Sequence, residues 1–562
     1  MCRLLSTLTL ALLCIRLGAA EPIWSDRWVY CPTNFQVDAG VDRLLGLFDR
    51  AAAAGYNGVI LTDFKFGKME GRPANYLANL ARTRKAAADR HLALIACVMP
   101  VGYAGEILQN DPNLAEGVPA SAVPFLVHGD TARITDAPEL LTNGGAETDG
   151  GKKIAGWEWV DGPGVQVARD TTQHHSGVAS LRFSSFSTNA AGNCRAVTTL
   201  AVAPHRQYHL SFWLRSVGLA HPGEVHATIL GSKDVSLNHA NLGVQSDQDW
   251  TQHHVVFNSE EQTSVRLYLG IWGGTTGAFW IDDASLTACA GIRLLRRDGC
   301  PVVVTDDAGA TTYREGRDYA AWSAPESGHQ PWAGEFAVWH PEPALHLLPG
   351  SRIVDGQRLR VSYYHAVTVY DGQVALCLRH PDTFRYLRSE VEALERQLAP
   401  TGWLMNYDEI RCARRCALCA TASDAGTLLA EHVQRCTALI REVAPQTRIL
   451  TWNDMFDPQH NAHGDYYHVA GNWAGSWQGL APDVEIINWN GGKARESLGF
   501  FAKRGQHQVI AGFYDDPAVA TGIAHWREAA TGLPGITGLI YTTWTNDYSH
   551  LEEFAKAAGF HP

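Results

Sequence analysis

Two adjacent acids, Asp408 and Glu409, close the apolar run Gly402-Trp403-Leu404-Met405-Asn406-Tyr407. A strand that stops at two carboxylates sets them on the rim of a sheet, where proton transfer to a bound substrate is the chemistry they could do. Strand neighbours point to opposite faces, so both acids meet one ligand only if the chain turns there, and a strand end supplies such a turn. The two charges repel, and among tryptophans this raises at least one pKa and keeps an acid protonated near neutrality. Other apolar runs also end in polar or aromatic residues: Asp63, Trp452-Asn453-Asp454, Trp489-Asn490, Tyr514-Asp515-Asp516 and Trp544-Thr545-Asn546. Trp452, Trp489 and Trp544 offer flat faces for the C–H surface of a sugar, and Asn453, Asn490, Asp515 and Asn546 offer hydrogen bonds to its hydroxyls. Arg411 could bridge to Asp408, and the loop residues His365 and His460 could reach the same cleft, although a lone histidine is more often structural.

The elements that must position these residues come in two blocks. Before residue 130, strands near Trp28–Tyr30, Gly58–Asp63 and Leu92–Val98 alternate with helices near Val41–Ala54 and Tyr76–Arg90. After residue 382 the alternation resumes, with helices near Thr383–Gln397, Ala425–Val443, Ala494–Arg504 and Val519–Ala530. Five strands accompany them, near Trp403–Tyr407, Arg448–Trp452, Val484–Trp489, Gln508–Phe513 and Gly538–Thr543. Three strands and five, each with a helical segment, make the α/β count of a (β/α)8 barrel, whose active site lies where strands end and loops begin. Between the blocks the texture is all-β, with short alternating strands and Gly/Asn/Asp turns. The expected organisation is therefore a first barrel part over 21–130, a jelly-roll insert over 131–290, a small β-rich segment over 291–365 and a second barrel part over 366–562. The run Leu359–Tyr364 follows the turn Asp355-Gly356 and is assigned to the insert.

Composition narrows the function classes. The 562 residues are 46% hydrophobic, enough for several cores, and carry 46 basic against 58 acidic side chains without any basic run. The balance argues against nucleic acid or an anionic membrane surface as partner. Eighteen tryptophans and 53 glycines suit loop-rich sites that present aromatic faces. Residues 1–20 combine Arg3, the apolar stretch Leu8–Leu13 and the small-residue ending Gly18-Ala19-Ala20, the pattern of a secretory signal cleaved before Glu21. The expected localisation is secreted or periplasmic. Cys412, Cys416 and Cys419 cluster, with Cys436 beyond; in an exported protein one or two disulfides are expected, with a zinc site and unpaired thiols as alternatives.

Two resemblances follow from these motifs. Segments Leu141–Glu147, His175-Ser176-Gly177, Tyr208–Trp213 and Phe279–Asp283, in that order, resemble the jelly-roll carbohydrate-binding modules of secreted glycoside hydrolases. That resemblance implies Glu147 and Asp283 as ligands of a structural calcium. Asp408-Glu409 at the fourth strand, Trp452-Asn453-Asp454-Met455 at the fifth, Trp489 at the sixth, Tyr514-Asp515 at the seventh and Trp544 at the eighth resemble the barrel of family 20 β-N-acetylhexosaminidases. The resemblance implies substrate-assisted, retaining hydrolysis without any catalytic cofactor, in which the substrate's own acetamido oxygen attacks the anomeric carbon. Asp408 would orient that group and Glu409 would act as general acid and then base. Tyr514 would hydrogen-bond the acetamido oxygen, Asp515 would take the outer hydroxyls, and the three tryptophans would wall the sugar. Met405-Asn406-Tyr407 departs from the His-x-Gly-Gly usual before the pair, and no sugar-binding arginine is evident in Trp28–Asn34. Two alternatives stand beside this reading. One is a glycosidase on sugars without the acetamido group, using Asp454, Asp515 or Asp516 as a second carboxylate. The other is a glycan-binding protein without catalysis.

Overall fold

The computed structural model describes residues 24–151, 154–370 and 372–561; the expected signal over 1–20 lies outside them. Eight parallel strands close into a barrel: β1 Asp26–Pro32, β2 Gly58–Thr62, β3 Ala93–Val98, β4 Gly402–Met405, β5 Arg448–Trp452, β6 Val484–Asn488, β7 Gln508–Ala511 and β8 Ile536–Tyr541. Closure is through β1, where Trp28 pairs with Gly58 of β2 on one side and with Ile540 of β8 on the other. These strands are short apolar runs because both of their faces are buried. Trp28, Ile60, Ile95, Leu404, Leu450, Ile487, Val509 and Ile540 fill the interior, while alternate residues such as Val29, Val59, Trp403 and Ile486 pack outward beneath the helices.

The helices are α1 Asp38–Ala53, α2 Ala74–Asp89, α3 Pro381–Leu398, α4 Ala425–Val443, α5 Ala494–Lys503, α6 Val519–Ala530 and α7 Leu551–Ala557, with one short turn at Gly105–Leu108. Local chemistry fixes their starts. Proline opens α3 and the His380 side chain accepts from Asp382 N–H at 3.2 Å, while the Asp424 carboxylate caps α4 by accepting from Thr427 N–H at 2.7 Å. The expectation of a helical segment after every strand needs one correction. Between β5 and β6 the described residues form only the single turns Asp454–Phe456 and Ser476–Gly479 around a long loop. Pro458, Gly464, Gly471 and Gly475 interrupt any helical run there, the three glycines with positive φ.

The insert has two parts. A five-stranded sheet (Gln248–Asn258, Gln207–Val217, Ala278–Cys289, Ser180–Ser184, Val167–Asp170) faces a four-stranded sheet (Val225–Leu230, Ser264–Ile271, Cys194–Ala201, Trp159–Val160) over its own apolar core. The small β-rich part is assembled from both ends of the insert: Val118–His128 pairs antiparallel with Arg358–His365, and Thr131–Ile134 with Leu345–His346. Residues 118–130, grouped with the barrel in the sequence, therefore belong to this sheet, since a strand is completed by whichever partner its register meets. Leu359–Tyr364 lies in it too, as expected. The disulfides expected from the cysteine cluster are not formed: all ten described cysteines are free and buried. No helix among the described residues is long and apolar enough to cross a membrane.

Candidate active site

Strand parity carries Asp408 to the barrel mouth. Leu404 points into the barrel, Asn406 and Asp408 continue that side upward, and Trp403, Met405 and Tyr407 pack outward. Parity would send Glu409 away, but its backbone adopts φ +46°, the left-handed region, and this turn swings its side chain back. The turn is held by Asp454, whose Oδ2 accepts Glu409 N–H at 2.9 Å and Asn461 Nδ2 at 3.0 Å. Gly102 lies so close beneath it that an added Cβ would sit 2.1 Å from Asp408 O.

The pair opens on a cavity of about 410 Å³ at the C-terminal ends of the strands. Trp452, Trp489, Tyr514 and Trp544 wall it, as the sequence suggested, and Tyr30, Tyr103 and Asn406 complete it. Trp489 and Tyr514 are parallel within 5° with ring centres 6.4 Å apart, and Trp544 stands edge-on to Tyr514 at 6.0 Å. Tyr514 and Trp544 are 56% and 45% exposed, which leaves their faces open to a ligand. Trp452 is buried and donates from Nε1 to Asn406 Oδ1 at 2.8 Å, so it forms the floor. A larger cavity of about 740 Å³ lies outside the mouth over α1, and Asn546 lines that one instead.

Charges in the site are unevenly held. Glu409 Oε2 accepts from Tyr103 OH at 2.5 Å and pairs with Arg411 at 2.6 Å. Arg411 therefore bridges to Glu409 rather than to Asp408; it also bonds Gln373 Oε1 and lies over the Tyr370 and Tyr467 rings at 4.8 and 5.0 Å. Asp408 is half-buried, and its Oδ1 is enclosed without a hydrogen-bond partner. Desolvation, with Asp454 and Glu409 nearby, pushes its carboxyl well above the usual range. Asp454 is fully buried and is pushed up to about 7, chiefly by desolvation. The raised pKa expected of at least one of the two acids is found at Asp408.

Several candidates do not reach the cavity, because backbone groups and neighbouring side chains claim them. Asp63 accepts from Phe35 N–H and Lys65 N–H at 2.9 and 3.1 Å and clamps the loops after β1 and β2. Asn453 bonds Asp457 and Trp489 N–H, and Asn490 bonds Gln459 O and Ser497, so both tie loops together. Asp515 accepts from Thr543, Trp544 N–H and Thr545; burial opposes its charge, but these donors hold it below the usual carboxylate range. Asp516 is exposed and accepts from Ala518 N–H. His365 is buried against Asn258, away from the cleft, whereas His460 stands edge-on to Trp489 at 4.4 Å. In the insert, Glu147 accepts from Val178 N–H, and Asp283 is bonded by His175 and Ser176. A calcium between them would have to displace these donors to gather its usual six to eight oxygens.

Sequence reasoning missed Tyr30, Tyr103, Gln373, Tyr370 and Tyr467. Tyr30 was legible in principle as the inward residue two after Trp28; the others come from loops and from the end of the insert, and no spacing announces them. The insert reaches the site's support. The His239 ring lies tilted by 49° against Tyr467 at 4.4 Å, and Glu260 forms a buried ion pair with Arg415 at 2.8 Å and meets His468 Nδ1 at 3.0 Å.

The insert has two facing sheets over an independent core. Residues 138–278 match the model of a carbohydrate-binding domain family. Among solved structures, a family 16 carbohydrate-binding module is 21% identical, covering 26% of this chain and 98% of that one, with a TM-score of 0.20. A β-N-acetylhexosaminidase is 15% identical, covering 35% of this chain and 46% of that one at a TM-score of 0.27. Dispersin B is 11% identical, covering 34% and 59% at a TM-score of 0.23. The chain thus spans about half the length of these two enzymes. No curated protein matches the chain in sequence.

Proposed function

We propose that the protein is an exported glycoside hydrolase acting on N-acetylhexosamine-type sugars, with Glu409 as general acid and base. The observation that carries this reading is the turn at Glu409, which brings two adjacent carboxyls onto one aromatic-walled cavity at the barrel mouth. Glu409, carrying a proton on the oxygen that Tyr103 and Arg411 leave free, gives it to the glycosidic oxygen as the leaving group departs and is left as a carboxylate beside Arg411. The acetamido oxygen attacks the anomeric carbon, Asp408 holds the acetamido N–H through the oxygen that has no protein partner, and Glu409 then takes a proton from the incoming water. In this reading Tyr514, exposed at the cavity, meets the acetamido oxygen and the exposed Trp544 stacks on the ring. The reading without an acetamido group would have to rely on Asp454, since Asp515 and Asp516 are engaged elsewhere; Asp454 is fully buried with Oδ2 spent on the Glu409 turn.

The experiment is hydrolysis of aryl N-acetylhexosaminides by Glu409→Gln. We expect kcat/KM to fall by about 10²–10⁴-fold, the usual size of a general acid's contribution, with binding of a thiazoline mimic of the intermediate retained. Unchanged turnover would refute the assignment. Asp408→Asn should impair only substrates that carry the acetamido group. Retention of glycans without product from any of them would favour the non-catalytic reading. Export is tested by the mature N-terminus, expected at Glu21.

A further inference from the structure

Behind the loop that follows Glu409, the neighbouring thiols of Cys416 and Cys419 meet the sequence-distant thiol of Cys377. Cys377 Sγ lies 3.8 Å from Cys416 Sγ and 3.6 Å from Cys419 Sγ. All three are buried, and with a carboxylate oxygen of Glu116, also buried, their donor atoms lie within 4.8 Å of one another. Cys300 adjoins Cys416 from the small β domain, where the loops touch through Ala417 N–H and Gly299 O at 3.0 Å.

Zinc–thiolate bonds of about 2.3 Å set the sulfur–sulfur edge of a tetrahedron at about 3.8 Å, close to the distances found here. Cys416-x2-Cys419 also has a metal-knuckle turn, in which Cys419 N–H donates to Cys416 Sγ at 3.4 Å and offsets negative charge on that sulfur. An independent sign is the Glu116 carboxyl. Its Oε1 accepts from Arg415 N–H at 2.7 Å and Cys416 N–H at 2.9 Å, whereas Oε2 is enclosed with no partner. A buried carboxylate oxygen left unpaired beside three sulfurs is costly unless a cation takes it. Arg297, bonded to Asn113 O and Ala115 O, lies against the same sulfurs and would balance the net negative charge of a thiolate-rich zinc centre.

We propose that Cys377, Cys416 and Cys419 bind a structural Zn²⁺, with a carboxylate oxygen of Glu116 closing the tetrahedron. The ion ties three separate pieces: the segment leading into α3, the chain between β3 and the insert, and the β4 loop that carries Glu409 and Arg411. It keeps clustered thiols reduced during export and has no open position for catalysis. The inference does not depend on the hydrolase reading.

The test uses the full-length protein purified without chelator. Elemental analysis should find about one zinc per chain. Titrating the thiols with a mercurial should release that zinc in step with their modification. Cobalt exchanged into the protein should show thiolate-to-cobalt charge-transfer bands in the near ultraviolet, and X-ray absorption should show three sulfur neighbours and one oxygen. Cys416→Ser with Cys419→Ser should lower bound zinc at least roughly tenfold. Folding of this variant is checked by near-ultraviolet circular dichroism, and the wild-type mercurial titration stands whether or not it folds. Metal-free protein with all of these thiols reduced, a disulfide between Cys377 and Cys419, or a metal shell with fewer than three sulfurs would overturn the proposal.

Discussion

At Glu409 two contacts meet on one oxygen: Oε2 accepts from the Tyr103 hydroxyl and pairs with Arg411. Tyr103→Phe removes one hydrogen bond to Glu409 and keeps the ring, so kcat should fall by about tenfold with KM little changed. Steady-state kinetics separate these terms, and an equal rise in KM would show instead that Tyr103 binds substrate. Asp454 sets a pH dependence of stability. Its folded value of about 7 lies above the ordinary carboxylate value, so the fold binds its proton more tightly than the unfolded chain does. That contribution is complete below about pH 4 and is lost as pH rises through about 7, by a few kcal/mol. Denaturant unfolding at pH 5 and pH 8 should show a loss of stability that Asp454→Asn reduces; equal pH slopes would contradict it.

At the level of elements, the end of β4 works because the loop after β3 lies flat against it. Gly102 is required there for close approach, not for an unusual φ: a methyl group would strike the Asp408 carbonyl. Gly102→Ala should cost about 1–3 kcal/mol as overpacking and move the acid pair, lowering kcat and the melting temperature together. A melting temperature unchanged from wild type would mean that the loop simply shifts. The irregular passage between β5 and β6 has a matching role. By forgoing a helix it delivers Asn461 to Asp454 and Tyr467 to Arg411, contacts that a straight helix on the barrel's outside would not make.

For the whole molecule, the insert is docked onto the barrel. Glu260 leaves the jelly roll to enter a buried site with Arg415 and His468, and these hold its carboxyl below the ordinary value although burial opposes its charge. Breaking a buried pair strands the remaining charge, so Glu260→Ala should destabilise the protein by about 3–5 kcal/mol. Because Arg415 and His468 belong to the barrel loops, barrel and insert should weaken together. Tryptophan-fluorescence and circular dichroism melts of the variant should shift alike; a shift confined to the insert's proteolytic fragments would show that the two units are independent.

Much of this architecture was legible in the chain because burial on both faces of a barrel strand demands uninterrupted apolar runs, and because period-two alternation marks a sandwich. The runs ending at Asp63, Asp408, Trp452, Trp489, Tyr514 and Trp544 marked strand ends, and four of those aromatics do wall one cavity with the acid pair. Residue type alone could not separate side chains facing that cavity from those spent on backbone groups. Asp63, Asn453, Asn490 and Asp515 read as ligand binders, yet neighbouring N–H groups and side chains claim them. Nor does spacing show that Tyr103 and Tyr467, some 300 and 60 residues from Glu409, converge on it and on Arg411, or that Cys377 joins Cys416 and Cys419. The sequence by itself determined the strand ends and the acid pair, since local burial dictates those. Tertiary structure decided which donors each polar group finds, because that depends on loops the chain brings together only when the barrel closes.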